Sequence, residues 1–217
     1  MCIARRLHLQ LNAGHPPRPG DYLVSVGGMS SFWAGFFAHT MHLKVTRKER
    51  SYLFQNILTP RPKNREGLLL SKLKLLTSCI DNSDGLYPSI RQLAQASQLS
   101  FTTNFDGMHF HPAVVKVARL AGLDPVRFCL GWGDWQLLGT VRPTDVSRLL
   151  NVMREVGSPC HVIGKAEKGS PSVKLRMAER VGDMMPLESE RFGRKSWFSA
   201  GIQSYVDALR KGRLLMS

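Results

Sequence analysis

The stretch that decides the fold of this chain is Asp81-Asn82-Ser83-Asp84-Gly85-Leu86, in which two carboxylates three residues apart flank a hydroxyl group. Apolar residues at 75–80 precede it, and residues 89–96 behind it have the pattern of a helix. Mg²⁺ prefers oxygen ligands and helix-start N–H groups bind phosphate, so this strand-to-helix corner is a candidate magnesium and phosphate site. The alternative is an acidic helix N-terminus in which Asp84 or Ser83 caps the amide groups of the first turn.

Strand and helix patterns alternate on both sides of this corner. Strands are predicted at residues 7–11, 22–26, 101–105, 135–141, 160–164 and 172–175, and helices at residues 32–43, 48–58, 66–76, 112–121, 145–156 and 202–209. This order predicts an α/β fold, an α+β sandwich in which helices flank a mixed β-sheet. We divide the chain into an N-terminal strand and linker at 1–16, a main domain at 17–180 and a C-terminal helical extension of that domain at 181–217.

The net charge of the chain is unusually positive. Thirty Lys and Arg residues against 16 Asp and Glu give a formal charge of +14 among 217 residues, a balance that favours polyanionic partners. The cations form short clusters at 47–50, 61–65 and 210–213 rather than one long arm, and no aromatic-rich strand accompanies them. Binding of nucleic acid is therefore an alternative and is not favoured as the main function.

Cysteine spacing and hydropathy indicate in which cellular compartment we expect the protein. The four cysteines are widely separated and include no CxxC pair, which predicts neither a zinc site nor a disulfide framework and fits the reducing cytoplasm. Residues 22–43 carry no Asp, Glu, Lys or Arg, but they contain many glycines and polar residues, so we expect no membrane span. The first residues do not have the pattern of a signal peptide.

Several short motifs, taken in order, resemble one family. They are Arg18-Pro19-Gly20-Asp21-Tyr22-Leu23, Thr59-Pro60-Arg61-Pro62, the Asp81–Leu86 stretch, Gly131-Trp132-Gly133-Asp134-Trp135-Gln136-Leu137-Leu138 and Val162-Ile163-Gly164-Lys165. In the same order, they are similar to five motifs of the aminoimidazole-ribonucleotide (AIR) synthase superfamily: RPGD followed by a strand, RPRP, DxSDGL, GGEDYELL and the VIG strand. The DxSDGL motif resembles that of the thiamine-monophosphate kinase branch, and the resemblance covers the C-terminal domain only.

The resemblance implies a function for the corner. In such kinases the two aspartates help to hold Mg²⁺ ions that bridge the phosphates of ATP, and the serine contacts ATP. Carried over, Asp81 and Asp84 would be metal ligands and Ser83 a nucleotide contact. The implied reaction is ATP-dependent phosphorylation of thiamine monophosphate to thiamine diphosphate, in which positioning and charge neutralisation provide most of the catalysis.

The chain also departs from the family pattern. The resemblance does not include the family's N-terminal domain, which carries acidic Mg²⁺ motifs and most of the nucleotide site. We therefore expect activity to need that half from a separate chain, and the alternative is a truncated or decayed gene product. The acid that would contact thiamine phosphate is replaced by Gly133, which leaves the true phosphate acceptor open. Trp197 is the candidate for the family's substrate-binding aromatic near the C-terminus, although its flanking residues do not match.

Two further alternatives stay open at this level. The Gly27-Gly28 turn before a helix could cradle a phosphate, but it lacks the lysine of a P-loop, and close strand–helix packing is the favoured use of these glycines. For the whole chain, the alternative function is a non-catalytic basic module that binds nucleic acid or an acidic protein partner on the same fold.

Overall fold

The computed structural model describes residues 16–187 and 202–216. The strand predicted at 7–11 and Trp197 lie outside these residues. The strands are β1 (Tyr22–Val26), β2 (Ser78–Asp81), β3 (Ser100–Asn104), β4 (Leu137–Val141), β5 (Cys160–Glu167), β6 (Ser172–Met177) and β7 (Arg180–Asp183). The helices are α1 (Ser31–Thr40), α2 (Arg47–Leu58), α3 (Asn64–Leu73), α4 (Leu86–Ser97), α5 (Pro112–Ala121), α6 (Arg127–Leu130), α7 (Val146–Glu155) and α8 (Gln203–Lys211).

The strands form one seven-stranded sheet in the order β2-β4-β1-β5-β3-β6-β7. All neighbouring pairs are antiparallel except β3 and β6, which run parallel. The sheet is therefore mixed, as predicted. Alternate side chains of each strand face opposite sides of the sheet, and both sides bury apolar residues against helices.

The two faces of the sheet carry separate cores. Leu23, Ile80 and Leu138 lie in the larger core, which also takes apolar residues from α1, α4, α5, α6 and α8. Val24 and Val26 lie in the smaller core, with residues of α3 and α7. Helices on both faces of a mixed sheet confirm the predicted α/β class. Among the described residues, no helix combines the length and the apolar character that a membrane crossing requires.

The strand register brings four strand ends to one edge of the sheet. Asp81 pairs with Leu137, which also pairs with Val26, and Val26 pairs in turn with Cys160. The loops that follow β1 and β2 therefore leave the sheet beside the loops that precede β4 and β5. This edge, referred to below as the β2/β4 edge, carries the Asp81–Leu86 stretch.

The structure departs from the predicted elements in a few places. Strand β4 begins at Leu137 and not at Trp135, whose backbone φ of 54° is incompatible with a strand. The helix expected to follow Thr144 begins at Val146, after a 3₁₀ turn over Pro143–Asp145. Neither the short helix α6 nor the edge strand β7 was predicted. The proposed division at residues 16 and 180 stays a prediction.

Candidate functional site

The Asp81–Leu86 stretch forms a tight corner between β2 and α4. Asp81 is the last residue of β2 and is exposed, Ser83 is half-buried, and Asp84 is buried at 6 % exposure. The Asn82 N–H donates to the Gln136 carbonyl at 2.9 Å, which ties the corner to the start of β4. The structure therefore places the three predicted site residues between the end of β2 and the N-terminus of α4.

The alternative in which Ser83 or Asp84 caps the first turn of α4 stays a prediction. Helix α4 has Gly85 as its N-cap, a residue that has no side chain with which to cap the helix. The φ of Gly85 is +97°, and a Cβ at this position would lie 3.5 Å from the Leu130 carbonyl oxygen and from the Tyr205 hydroxyl oxygen. These are ordinary van der Waals distances, so the positive φ, which glycine adopts readily, is what favours glycine here. The partial positive charge at the N-terminus of α4 consequently lies next to the two carboxylates.

Three buried polar residues lie in β1, in the corner and just before β4. Ser25, Asn82 and Gln136 are each at most 1 % exposed. In the part of the chain that the structure describes, the Ser25 hydroxyl and both amide atoms of Asn82 and of Gln136 have no hydrogen-bond partner. Leaving such a group unpaired costs about 1–3 kcal/mol, and folded proteins satisfy most such groups with protein, water or ligand. The β2/β4 edge thus has unused hydrogen-bonding capacity.

Asp134 acts as a cap and does not face an open site. Its carboxylate accepts hydrogen bonds from the Ser30 N–H at 2.6 Å, the Ser31 hydroxyl at 2.9 Å and the Phe32 N–H at 2.9 Å. These donors belong to the first turn of α1, and Asp134 is 3 % exposed. The aspartate of the block that resembles GGEDYELL therefore stabilises the start of a helix.

The neighbouring glycines of this block are locked against aromatic rings. Gly133 has a φ of +109°, and a Cβ there would overlap the ring of Phe32. A Cβ at Gly131 would overlap the indole of Trp33, whose Nε1–H donates to the Trp132 carbonyl at 2.7 Å. The position of the family's acid is consequently filled by packing, and a longer side chain does not fit it without rearrangement.

Lys63 reaches the β2/β4 edge, although the sequence places it in a cluster without any assigned role. A Cβ on Gly27 would lie 2.8 Å from Lys63 Cε, so the lysine stem covers the turn after β1. Its ammonium group lies 3.8 Å from the Glu66 carboxylate. The Gly27 turn thus has a lysine beside it, supplied from the start of α3 and not from its own loop. Only the tertiary structure reveals this, because 36 positions separate the two residues.

The three described cysteines are unsuited to nucleophilic chemistry. Burial raises the pKa of Cys79 and of Cys160 to about 12. Burial also raises the pKa of Cys129, whose Sγ lies 2.9 Å from the Ser30 hydroxyl. All three therefore remain neutral thiols near pH 7, and the thiolate is the reactive form.

The donor set at the corner suits a hard cation but is small. Asp81 and Asp84 provide carboxylate oxygens, which match the preference of Mg²⁺. Within residues 16–187 and 202–216, no group of three or more His, Cys, Asp or Glu side chains is arranged to hold a metal ion. The two aspartates would therefore share an ion with phosphate oxygens, water or residues from elsewhere.

Comparison with known proteins identifies relatives of the fold. Residues 18–176 match the family model of the AIR synthase related protein, C-terminal domain. No curated protein matches the sequence of the chain significantly. The fold is similar to thiamine-monophosphate kinase from Stenotrophomonas maltophilia K279a, with a TM-score of 0.65, 19% identity and coverage of 74% of this chain and 51% of that one.

Two further solved structures have the same fold. Thiamine monophosphate kinase from Aquifex aeolicus gives a TM-score of 0.59 at 21% identity, with coverage of 74% of this chain and 51% of that one. The hydrogenase maturation protein HypE from E. coli gives 0.56 at 18% identity, covering 78% and 50%. The chain thus spans about half the length of each of these proteins, and identities this low establish the fold alone.

Proposed function

Because this chain belongs to the family of the AIR synthase related protein, C-terminal domain, we propose that it provides one half of an ATP- and Mg²⁺-dependent phosphotransfer site. The observation that carries the proposal is the pair Asp81 and Asp84 around Ser83, between the end of β2 and the N-terminus of α4. Solved structures with this fold support it, since one thiamine-monophosphate kinase is complexed with AMPPCP and TMP and one HypE with ATP.

The residues of the corner have distinct roles in this proposal. Asp81 and Asp84 would hold Mg²⁺, which when bound neutralises phosphate charge. The Ser83 hydroxyl would donate to a phosphate oxygen, and the N–H groups at the start of α4 favour the same anion. Lys63 adds a cation beside the Gly27 turn and would attract a polyphosphate chain to this edge.

The second half of the site would come from another chain. The kinases with this fold are about twice as long as the matched region, and HypE is known in complex with HypF. We propose a partner that provides further acidic ligands to the same metal ions. The acceptor would be a phosphorylated small molecule, with thiamine monophosphate as the leading candidate. A cytoplasmic location belongs to this proposal, because the three described cysteines are free thiols.

Titration of the purified chain with ATP, with and without Mg²⁺, tests the corner directly. Asp81→Asn and Asp84→Asn are each expected to weaken Mg²⁺-dependent ATP binding by about tenfold or more, because an interaction with a charged group contributes ~1.5–3 kcal/mol. Asp106→Asn removes an exposed carboxylate outside the corner and is the matched control. Unchanged ATP affinity in both corner variants, measured by calorimetry, would sink the proposed metal site.

One observation favours the alternative, a basic binding module. Arg47, Lys48 and Arg50 are exposed in the first turn of α2, where the helix dipole disfavours cations. The nearby acid, Glu49, is already engaged by Lys116 at 2.8 Å, and this contact is the main reason that the pKa of Glu49 falls to about 2. Arg50 also lies over the Phe54 ring, 5.4 Å from its centroid. Arg47 and Lys48 are exposed cations available to an anionic partner.

Salt-dependent retention of an oligonucleotide tests this alternative. Replacing Arg47, Lys48 and Arg50 together by Glu is expected to flatten the dependence of log affinity on log salt by roughly 0.9 per lost phosphate contact. The matched control replaces by Glu three other exposed cations, Lys168, Arg176 and Arg180, which lie between the end of β5 and the start of β7. An equal loss of oligonucleotide affinity in both triple variants would indicate an effect of overall charge and not a specific surface. If the parent chain does not bind the oligonucleotide at physiological salt, nucleic acid is excluded as the partner.

A further inference from the structure

Trp135 is an exposed tryptophan held in a conformation that a bulky residue avoids. Its side chain is 39 % exposed, whereas Trp33 is fully buried and Trp132 is half-buried. Its φ of 54° places it in the left-handed region, which costs free energy for a residue with a Cβ. Such strain persists only where the surrounding structure imposes it, and it concentrates at ligand-binding sites.

The neighbours of Trp135 impose this conformation from both sides. On one side the Asp134 carboxylate is fixed by three hydrogen bonds to the start of α1. On the other side the Gln136 carbonyl accepts from the Asn82 N–H at 2.9 Å, and the Gln136 side chain is buried. With residues 134 and 136 both anchored, the link between them turns through the left-handed region, and Trp135 remains partly exposed.

The same anchors place Trp135 at the candidate site. The Gln136 carbonyl accepts a hydrogen bond from the Asn82 N–H in the corner, and the following residue, Leu137, pairs with Asp81 in the sheet. The exposed indole therefore lies two residues from the position of β4 that pairs with the first carboxylate of the corner. The backbone of Trp135 is thus tied to the segment that carries the two carboxylates, through its neighbour Gln136.

We propose that Trp135 provides a stacking surface for a flat heteroaromatic ring of the phosphorylated ligand that binds at the Asp81–Asp84 corner. This inference rests on the proposed function. Stacking on an aromatic side chain accepts many rings because each presents a π-face. Two ligands supply this chemistry, the purine base of ATP and the rings of thiamine monophosphate.

Three probes separate the ring from the phosphates: Mg²⁺–ATP, Mg²⁺–tripolyphosphate and thiamine monophosphate. The main variant is Trp135→Gly, because glycine accepts positive φ and removes the ring without adding strain. This variant is expected to weaken binding of the ring-bearing ligand by about tenfold, the usual order for one stacked base. Its affinity for tripolyphosphate should not change. Weaker binding of ATP would show that Trp135 stacks on the purine base. Weaker binding of thiamine monophosphate would show that it stacks on a ring of thiamine.

Two controls keep the result interpretable. Trp135→Tyr retains an aromatic face and is expected to recover most of the affinity, while Leu68→Ala truncates an exposed apolar residue elsewhere. If Trp135→Gly binds all three probes as the parent chain does, while Asp81→Asn loses tripolyphosphate, the stacking role is overturned and the proposed function stands. If the parent chain binds none of the probes with Mg²⁺ present, both are overturned.

Discussion

Replacing Asp134 by alanine is expected to lower the free energy of unfolding by about 3 kcal/mol, because hydrogen bonds to a charged group contribute ~1.5–3 kcal/mol. The carboxylate accepts three hydrogen bonds from the first turn of α1 at 2.6–2.9 Å and is 3 % exposed. Its loss leaves the N–H groups of Ser30 and Phe32 without this acceptor in a water-poor environment. A loss of this size is a large share of the ~5–15 kcal/mol that stabilises a typical domain.

Urea unfolding followed by circular dichroism measures this effect. Asp134→Asn keeps the shape of the side chain but turns one acceptor oxygen into a donor, so we expect it to lie between alanine and the parent chain. Asp106→Ala removes an exposed carboxylate and should change the free energy of unfolding by less than about 0.5 kcal/mol. If Asp134→Ala proves as stable as Asp106→Ala, the capping role assigned to Asp134 is wrong.

Restoring the family's acid by Gly133→Glu is expected to destabilise the fold without creating a substrate contact. The new Cβ would overlap the Phe32 ring, and the φ of +109° is unfavourable for any L side chain. Overpacking costs about 1–3 kcal/mol and a left-handed conformation adds ~1–2 kcal/mol, so we expect a total loss of about 2–5 kcal/mol. Binding of thiamine monophosphate should not improve.

A double-mutant cycle separates the two causes of this loss. Phe32→Ala removes the ring that Gly133 faces. In a chain that already carries Phe32→Ala, Gly133→Ala should therefore lower the free energy of unfolding by less than it does in the parent chain, and the difference is the steric contribution. Gly28→Ala is the matched control, because a Cβ there meets no atom within 4 Å. The steric explanation fails if Gly133→Ala costs the same with and without the Phe32 ring, as measured by urea unfolding.

The fold was largely predictable because its elements follow local rules. Helix α5 was predicted at residues 112–121 and lies there, since His111 caps it, Pro112 opens it and Gly122 ends it. Strand β1 was likewise predicted at 22–26. Strand β7 was missed because its four residues are exposed or half-buried and show no apolar alternation. It is a strand only because β6 pairs with it.

The surroundings of the site were less predictable than the motif itself. The role of Asp134 depends on donors more than 100 positions away in the chain, and Lys63 reaches Gly27 across the β2/β4 edge. Trp135 was predicted to start a strand because aromatic residues favour strands. The anchors on both of its sides override that preference.

The sequence alone determined most of the strands and helices and their order, the mixed sheet and the acidic corner at Asp81–Leu86, because local patterning and short motifs encode these features. Only the tertiary structure decided how the corner is surrounded. Long-range packing makes Asp134 a helix cap, closes the space at Gly133 with the Phe32 ring, brings Lys63 to the β2/β4 edge and leaves the Trp135 indole exposed. Each of these depends on contacts between residues that are distant in sequence, and no local pattern records such contacts.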